Sequence, residues 1–459
     1  MAHLNALRSA ALEIFADALR AVDARTATRK AVSLEGPILG IPGKDLSFSS
    51  PIYVVSIGKA AQQMALGLND ALGEKISHGI ITAPPQLTEH SFSSHWQIFN
   101  GGHPLPNEAS LAAAQAVFNL IDRANAEAAL VIFLVSGGGS AMIEWPVNEE
   151  ITLVDLRQAN RLLVECGASI SEINAVRRAF SAVKGGALAR RALQAKIVTF
   201  IISDTNPGDE ANVASGPTLS PSRNSPDPLD VITSYRLEKW LPSAILRTIH
   251  AGQDATRQLP TQEQHPYHVL LDNRTAIKAA VQKARTLEFF TELAQDISEQ
   301  PIAEGCVLLL SRVSSLWENS ETNTNGVCLI SGGEFSCPVR GEGRGGRNLE
   351  TVLRCAIELD QDNQSLRHHT VVLSAGTDGI DGNSPVAGAI ADDTTIARAR
   401  SFGLEARTFL DTSDSYSFFS ELEDAIITGP TGTNVRDIRV VLRSASNTLN
   451  SGGAQLTCC

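Results

Sequence analysis

The sequence predicts an α/β fold that contains a doubly wound, largely parallel sheet. Runs rich in Val and Ile alternate with stretches of helical periodicity, which is the pattern of strand-helix-strand units. Residues 130–135 read LVIFLV, and a continuously apolar strand is typical of a sheet covered on both faces. Six predicted strands end in loops of Ser, Gly or Asp, and in such sheets ligands bind at the carboxyl ends of the strands.

The first part of the chain alternates strands and helices. Strands are expected at residues 52–57, 79–82, 96–99, 130–135 and 197–203. Helices are expected at residues 60–72, 108–124, 152–166 and 186–194. The first 22 residues predict an amphipathic helix, in which Glu13 and Asp17 argue against a targeting peptide.

A change in composition separates this part from the rest. Residues 217–228 contain four prolines, and residues 260–266 form a second polar stretch. The alternation then restarts, with strands expected at 268–271, 306–310, 327–330, 335–340, 370–374, 426–428 and 438–442, and helices at 276–287 and 349–359. We therefore predict two domains, residues 1–260 and residues 261–459.

The composition excludes several classes of protein. A net charge of −12 argues against nucleic acid or an anionic membrane as the main partner. The longest apolar run, residues 128–135, is too short to span a bilayer. Seven cysteines at scattered spacings form neither a disulfide framework nor a zinc motif, which indicates a reducing compartment. We expect a cytoplasmic protein that is a monomer or a homodimer.

Loops after strands of the first domain offer donors to an anion. Gly58 and Lys59 begin a helix, where a cation is unfavourable unless an anion binds as well. Asn174 and Lys184 add an amide and a second lysine at a helix start. The alternatives are a solvated Lys59 and an exposed basic helix around Asn174. One further loop combines backbone N–H groups with two hydroxyls, at Ser136, Gly137, Gly138, Gly139 and Ser140.

Acidic residues follow two of the predicted strands. Asp204 and Asp209 come after residues 197–203, shortly before Gly216, a further predicted nucleotide-binding residue, and Asp378 comes after residues 370–374. Carboxylate oxygens suit Mg²⁺ that is shared with phosphate groups, and a carboxylate can also accept a hydroxyl proton. Because Asp is a common turn former, each acid also has a purely structural interpretation. The sequence does not rank the three acids.

The second domain carries a loop rich in glycine and arginine. Its glycines allow the backbone to approach a ligand, and Arg344 and Arg347 suit bidentate recognition of phosphate or carboxylate. Only nine of the 38 basic residues are lysines and the last is Lys283, so an anion bound by the C-terminal third must be held by arginine or backbone amides. The other predicted nucleotide-binding residues here are Gly333, Glu334, Gly345, Gly346, Asn348, Thr431 and Asn434.

Two other interpretations of this loop remain open. Gly341, Gly343 and Gly346 match the pattern G-x-G-x-x-G, which indicates a dinucleotide site when a buried strand precedes it. Residues 336–340 are polar and contain a proline, so they fit an edge hairpin better. The second alternative is a hairpin whose arginines face solvent.

Eight motifs together resemble the glycerate 2-kinases, the two-domain class of glycerate kinases. They occur in the family's order over residues 50–440: GKAAQQMA, GGHPLPNEAS, SGGGSA, INAVRR with KGGALAR, SDTNPGDE with ASGPT, SGGE with VRGEGRGGRNLE, SAGTDGIDG and TGPTGTNVRD. The chain departs from the family after GGE, where Phe335, Ser336 and Cys337 replace a Thr-rich sequence, and at Pro207, which comes later than usual.

The resemblance implies a Rossmann-like N-terminal domain, a smaller C-terminal α/β domain with a mixed sheet, and an active-site cleft between them. It implies ATP, Mg²⁺ and D-glycerate as ligands and 2-phosphoglycerate as product. By this resemblance Lys59 is the catalytic lysine, and Arg344 and Arg347 are the key arginines. Some members have been labelled hydroxypyruvate reductases, so an NAD(P)H-dependent reductase is the alternative enzyme. A non-catalytic sensor of nucleotide or sugar acid is the alternative binding protein.

Overall fold

A computed structural model describes residues 2–47, 51–85, 92–256, 265–320, 324–361 and 368–445. The chain forms two compact units. The parallel-sheet unit comprises residues 23–272 and 432–434, and the mixed-sheet unit comprises residues 1–22, 273–431 and 435–459. The predicted boundary at residue 260 lies outside the described residues.

The strands and helices agree broadly with the predicted alternation. In chain order, the described strands are β1 (Ser33–Glu35), β2 (Ile38–Ile41), β3 (Lys44–Ser47), β4 (Ile52–Ile57), β5 (Ile76–Ala83), β6 (Trp96–Asn100), β7 (Leu130–Ser136), β8 (Lys196–Ile202), β9 (Tyr267–Leu271), β10 (Phe290–Leu293), β11 (Val327–Gly333), β12 (His368–Gly376), β13 (Gly388–Asp392), β14 (Ala425–Ile426) and β15 (Asp437–Ala445).

The described helices, in the same order, are α1 (Ala2–Ala21), α2 (Ala24–Lys30), α3 (Ala61–Leu72), α4 (Glu108–Ala126), α5 (Gly139–Met142), α6 (Leu153–Glu165), α7 (Ile170–Ala179), α8 (Ala187–Arg191), α9 (Pro228–Ser234), α10 (Ser243–Thr256), α11 (Asn273–Thr286), α12 (Ile302–Glu318), α13 (Arg347–Gln361), α14 (Thr395–Ser401), α15 (Ala406–Asp411) and α16 (Ser415–Glu421). None of the helices in the described part of the chain is long and apolar enough to cross a membrane.

Six parallel strands form the main sheet of the parallel-sheet unit, in the order β6-β5-β4-β7-β8-β9. This is the Rossmann strand order, and it confirms the predicted doubly wound sheet. The chain runs outward from β4 and then returns to place β7 on the other side of β4. A topological switch point therefore lies between β4 and β7, where Ile57 pairs with Val135. Loops that follow these two strands leave the sheet side by side.

The second sheet is mixed, as predicted, in the order β10-β11-β15-β12-β13-β14. Strand β15 runs antiparallel to both β11 and β12. Asp437, the first residue of β15, pairs with Gly333 at the end of β11 and with Gly376 at the end of β12. The loops that follow β11 and β12 therefore begin on either side of Asp437.

The first helix packs within the mixed-sheet unit. Leu7 and Ile14 of α1 are fully buried. Arg8 forms ion pairs with Asp392, at 2.6 Å, and with Asp424. The sequence-based division grouped residues 1–22 with the N-terminal domain, because an amphipathic pattern does not show which core a helix covers.

Two predicted strands of the mixed-sheet unit are wrong. Residues 306–310 lie inside α12, whose buried residues Ile302, Cys306, Leu309 and Val313 follow a helical spacing. Residues 335–340 form no strand beyond one isolated bridge, between Pro301 and Ser336. Strands β1 to β3, β10 and β13 were not predicted; β13 is wholly buried, and its Gly and Ala residues give a weak strand signal.

Candidate active site

The loop after β4 places Lys59 at the switch point. The N–H of Gly58 donates to the carbonyl of Thr82 at 3.0 Å, and the N–H of Lys59 donates to the carbonyl of Gly137 at 2.9 Å. Gly58 has φ 115°, and a Cβ there would lie 2.4 Å from the Ser136 carbonyl oxygen, so glycine is required. The loop after β4 is thus hydrogen-bonded to the end of β5 and to the loop after β7. These bonds hold the half-buried Lys59 at the start of α3.

The glycine loop after β7 packs against an acid and an amide. A Cβ on Gly137 would lie 1.9 Å from Asp204 Oδ2 and 3.0 Å from Asn434 Nδ2. The Asn434 amide also donates to Asp204 Oδ2 at 3.5 Å. Three residues predicted from separate motifs therefore meet at the carboxyl ends of β7 and β8.

His103 is a neighbour of Lys59 that the sequence analysis did not single out. Gly138 has φ 78°, and a Cβ there would lie 3.0 Å from Lys59 Cγ and 3.3 Å from His103 Cδ2. Gly139 then begins α5, with Ile57 and Ala214 against it. The only sequence signal for His103 was its place in the motif GGHPLPNEAS.

Ser140 connects the glycine loop to Asn174. Its hydroxyl lies 2.7 Å from the Ser215 hydroxyl, which donates to Asn174 Oδ1 at 2.6 Å. Gly216, with φ 68°, serves the turn after Ser215, since a Cβ there would lie 2.4 Å from the Ala211 carbonyl oxygen. Asn174 and Ser140 thus belong to one network, and Gly216 shapes it.

Lys184 forms an ion pair inside the protein. Its ammonium contacts the Glu144 carboxylate, and both side chains are 1% exposed. Burial lowers the pKa of Lys184, whereas the charge of Glu144 and the hydrogen bond to it raise that pKa. This buried ion pair gives Lys184 a structural contact, and its predicted role in nucleotide binding stays a prediction.

In the mixed-sheet unit, two acids hold Arg347. Its guanidinium lies 2.7 Å from Glu334 and 2.5 Å from Asp437, which is 1% exposed. Burial alone would raise the pKa of Asp437, but the charge of Arg347 holds it below its usual value. The arginine and Glu334, both predicted site residues, are one-third exposed.

Asp381 caps α13 from a different loop. Its carboxylate accepts the N–H of Leu349 at 2.8 Å and the N–H and side-chain amide of Asn348 at 3.1 and 3.2 Å. Burial raises the pKa of Asp381 to about 7. A Cβ on Gly346 would lie 2.4 Å from Asp381 Oδ1, so the predicted Gly346 and Asn348 serve this cap. Asp381 itself was quoted in a motif but given no role.

Arg344 lies over an aromatic ring. Its guanidinium carbon is 4.5 Å from the centre of the Tyr416 ring, and the backbone N–H of Arg344 donates to the Asp414 carboxylate at 2.9 Å. Gly345, with φ 154°, passes so close to Ser415 that a Cβ would lie 2.4 Å from the Ser415 hydroxyl. The segment 414–416 therefore supports the loop and leaves Arg344 exposed.

Asp378 and Thr431 meet at the end of β12. A Cβ on Gly376 would lie 3.2 Å from Asp378 Oδ1 and 3.5 Å from Asp437 Oδ1. The N–H of Thr431 donates to the carbonyl of Asp378 at 3.2 Å. Gly333, with φ 82°, turns the chain beside the Ser298 carbonyl, 2.6 Å from where its Cβ would lie.

The predicted metal ligands do not form a cluster in the residues that the structure describes. Across those ranges, no group of three or more His, Cys, Asp or Glu is arranged to hold a metal ion. Asp204 lies at the switch point, Asp209 is exposed in the segment before Glu210, and Asp378 lies in the mixed-sheet unit. A Mg²⁺ that is shared with a nucleotide needs one or two carboxylates, so Asp204, Asp209 and Asp378 stay separate candidates.

Glycine loops and a lysine at the switch point of a Rossmann-type sheet define the class of α/β proteins whose ligand site is expected at this edge of the sheet. Comparison with known proteins agrees. Residues 10–250 match a domain of unknown function, DUF4147, and residues 327–437 match the MOFRL family. A crystal structure of glycerate kinase from Thermotoga maritima superposes with a TM-score of 0.77 at 30% identity, covering 95% of this chain and 99% of that one. A crystal structure of a protein from Pyrococcus horikoshii superposes with a TM-score of 0.72 at 27% identity, covering 95% of this chain and 98% of that one.

Curated relatives agree with these structures. The rat glycerate kinase is 31% identical over 95% of this chain and 93% of its own length. A D-glycerate 2-kinase from Thermotoga maritima is 33% identical over 85% of this chain and 90% of its own length. A protein from Agrobacterium vitis, provisionally named a hydroxypyruvate reductase, is 33% identical over 85% of this chain and 98% of its own length. The chain belongs to the glycerate kinase family, as the motifs predicted.

Proposed function

We propose that this chain is a cytoplasmic glycerate 2-kinase, which transfers the γ-phosphoryl group of ATP to the 2-hydroxyl of D-glycerate. The observation that carries the proposal is the convergence of Lys59, the loop 137–139 and Asp204 at the switch point of the parallel sheet. The names of the relatives supply the identity of the substrate, and the site supplies the chemistry.

Phosphoryl transfer depends on positioning and on neutralising charge more than on covalent chemistry. Lys59 would neutralise the transferring phosphoryl group, and its backbone is fixed by the bond to Gly137. The glycine loop brings backbone N–H groups and the start of α5 close to the same place, without side chains that would keep a phosphate away. These features favour a phosphate over a neutral ligand.

We assign the metal ligand of the parallel-sheet unit to Asp204. Its carboxylate lies against Gly137 and beside the Asn434 amide, and carboxylate oxygens are the ligands that Mg²⁺ prefers. Phosphate oxygens and water would complete the coordination. When bound, Mg²⁺ neutralises phosphate charge; Lys59 and the glycine loop orient the phosphates.

Arg344 and Arg347 are our proposed phosphate- or carboxylate-binding side chains of the mixed-sheet unit. Arg347 is held by Glu334 and Asp437, which fixes the orientation of its guanidinium. Arg344 is exposed and stacked on Tyr416, which limits its rotamers. A fixed guanidinium loses little entropy when it binds an oxyanion.

³¹P NMR of the full chain with ATP, Mg²⁺ and D-glycerate tests the proposal. We expect resonances of ADP and 2-phosphoglycerate to grow together, and neither to grow when EDTA replaces Mg²⁺ or L-glycerate replaces the substrate. ATP hydrolysis without a phosphoglycerate, or 3-phosphoglycerate as the product, would refute the assignment.

The same preparation tests the reductase named for the Agrobacterium relative. That reaction consumes NADH or NADPH when hydroxypyruvate is the substrate. The consumption is measured as a decrease in the absorbance of the reduced nicotinamide. We expect none, because no strand precedes the G-x-G-x-x-G loop among residues 335–340. Oxidation of NADH or NADPH without ATP would refute the kinase and support the reductase.

A further inference from the structure

Arg178 is a half-buried arginine whose recorded acceptors are all neutral. It lies on α7, one turn after Asn174. Its Nη2 donates to the carbonyl of Ala211 at 2.8 Å and to Asn212 Oδ1 at 2.6 Å, and its Nε donates to the carbonyl of Ser215 at 3.4 Å. It forms no ion pair with a carboxylate of the described residues.

Near Arg178 in the chain lie two further buried cations, Arg177 and Lys184. Arg177 is 7% exposed, and its Nε has no hydrogen-bond partner among the residues that the structure describes. Lys184 is buried as well, and Glu144, whose charge acts on both Arg177 and Lys184, is bound to Lys184. Burial lowers the pKa of both Arg177 and Arg178 to about 10. Because no carboxylate of the described residues pairs with Arg178 and its acceptors are neutral, this charge balance at Arg178 favours an anion.

Arg178 is connected to the glycine loop through hydrogen bonds. Asn212 Oδ1 accepts from Arg178 at 2.6 Å and from Asn174 at 3.3 Å. Asn174 accepts from Ser215, which contacts Ser140 at the end of the loop. The path stays within the parallel-sheet unit.

The two N–H groups on Nη1 of Arg178 are not used in the hydrogen bonds described above. No acceptor for Nη1 is recorded within the described ranges, and the side chain is partly exposed. An Arg nitrogen with two N–H groups matches one or two oxygens of a carboxylate or phosphate.

We propose that Arg178 binds an oxyanion through Nη1, as a subsite of the glycine loop that takes either the carboxylate of the hydroxy acid or a phosphate of the nucleotide. The identity of these two ligands rests on the proposed function. The subsite itself rests on the charge balance and the hydrogen bonds around Arg178.

Isothermal titration of the full chain tests the subsite, with D-glycerate, ATP and inorganic phosphate each added alone. Arg178→Gln should weaken one ligand about 10- to 100-fold, the range of a charge-assisted hydrogen bond. A loss for D-glycerate only assigns the carboxylate, and a loss for ATP and inorganic phosphate assigns the phosphate. Arg247→Gln is the matched control, because Arg247 is 63% exposed and pairs only with an exposed Glu150.

Arg178→Lys separates ligand binding from support of the loop 211–215. The lysine keeps the positive charge but lacks the planar guanidinium with its several N–H donors. The variant should therefore fold and show a smaller loss of affinity for the same ligand. Should Arg178→Gln fail to fold, the Lys variant gives the same assignment. A selective loss should also reduce the salt dependence of that ligand's Kd. Equal affinities in parent and variants, or an equal loss for all three ligands together with a lower Tm, would overturn the subsite.

The proposed function and the subsite can fail separately. A parent that binds inorganic phosphate through Arg178 but transfers no phosphoryl group refutes the kinase and keeps the subsite. A parent that phosphorylates D-glycerate with parental KM values in both Arg178 variants keeps the kinase and refutes the subsite. A parent that binds none of the three ligands refutes both.

Discussion

Gly137→Ala should abolish most activity while leaving the fold intact. The new Cβ would lie 1.9 Å from Asp204 Oδ2, so the carboxylate must move by about 1.5 Å to reach an ordinary contact. The Asn434 amide, 3.0 Å from the same point, restricts where the carboxylate can go. The substitution therefore displaces the proposed metal ligand without removing any polar group.

A displacement of this size has a predictable kinetic effect. Misplacing a catalytic group by ~1 Å can reduce the rate about 100-fold, which corresponds to about 2.7 kcal/mol in the barrier. We expect kcat/KM for D-glycerate to fall by that factor, measured as ADP release with saturating ATP and Mg²⁺. The substitution should lower kcat and leave KM for ATP unchanged, because Lys59 and its backbone hydrogen bond to Gly137 remain.

The stability of this variant should change little. The φ of Gly137 lies outside the left-handed region, so alanine introduces no backbone strain there. Asp204 is partly exposed and can move. Gly252→Ala in α10 is the control, since no atom lies within 4 Å of its new Cβ. That control should gain about 0.5–1 kcal/mol in urea unfolding and keep full activity. Parental kcat/KM in Gly137→Ala would refute the role of Asp204.

Three further predictions concern charges. Lys59→Met should lower kcat about 100- to 1,000-fold with an unchanged urea midpoint, because one preorganised charge is lost from a half-exposed position. Lys184→Met should cost about 3–5 kcal/mol of stability by leaving Glu144 buried and unpaired, and the double variant with Glu144→Leu should recover most of it, as thermal unfolding would show. Because burial raises the pKa of Asp381 to about 7, above its unfolded value of 3.8, its stabilising effect is complete below pH 3.8 and is lost as the pH rises through 7. Urea unfolding between pH 4 and 8 should therefore show a flatter profile in Asp381→Asn, and an unchanged slope would contradict this.

The parts of the site that the sequence predicted are those with a local signature. Lys59 and the loop 136–140 follow apolar strands directly, and both the strands and the glycines are visible in a short window. The parallel order of the strands then brings them together at the switch point. Here the prediction needed only the alternation of elements and the rule for ligand position.

The parts that were missed depend on residues far apart in the chain. His103, in the segment after β6, lies beside Gly138, and Asp381 caps a helix that begins 34 residues earlier at Arg347. The sequence shows such residues but not their neighbours. The partner of Lys184 was missed for the same reason, because a lysine before two glycines has the same sequence whether Glu144 pairs with it or not.

A short apolar run caused one of the two wrong strands in the mixed-sheet unit. Residues 306–310 read CVLLL, which is compatible with a buried strand or a buried helix. The helical alternative required the longer spacing from Ile302 to Leu316, which includes polar residues on the exposed face. The departure at Phe335 has a structural reason as well: the guanidinium of the buried Arg439 lies 3.8 Å from the centre of its ring.

The charge balance around Arg178 also predicts the outcome of a nearly isosteric change at Asn212. In this chain 50 acidic residues outnumber 38 basic ones, yet the acceptor 2.6 Å from Arg178 Nη2 is an amide oxygen. Asn212→Asp would place a carboxylate there, still within reach of the Asn174 amide, and would supply the charge that we assign to the ligand. We expect the fold to be kept or stabilised by about 1 kcal/mol in urea unfolding, and the Kd of the oxyanion ligand to rise about tenfold. If the variant binds D-glycerate, ATP and inorganic phosphate as tightly as the parent does, the positive charge at Arg178 serves the loop alone.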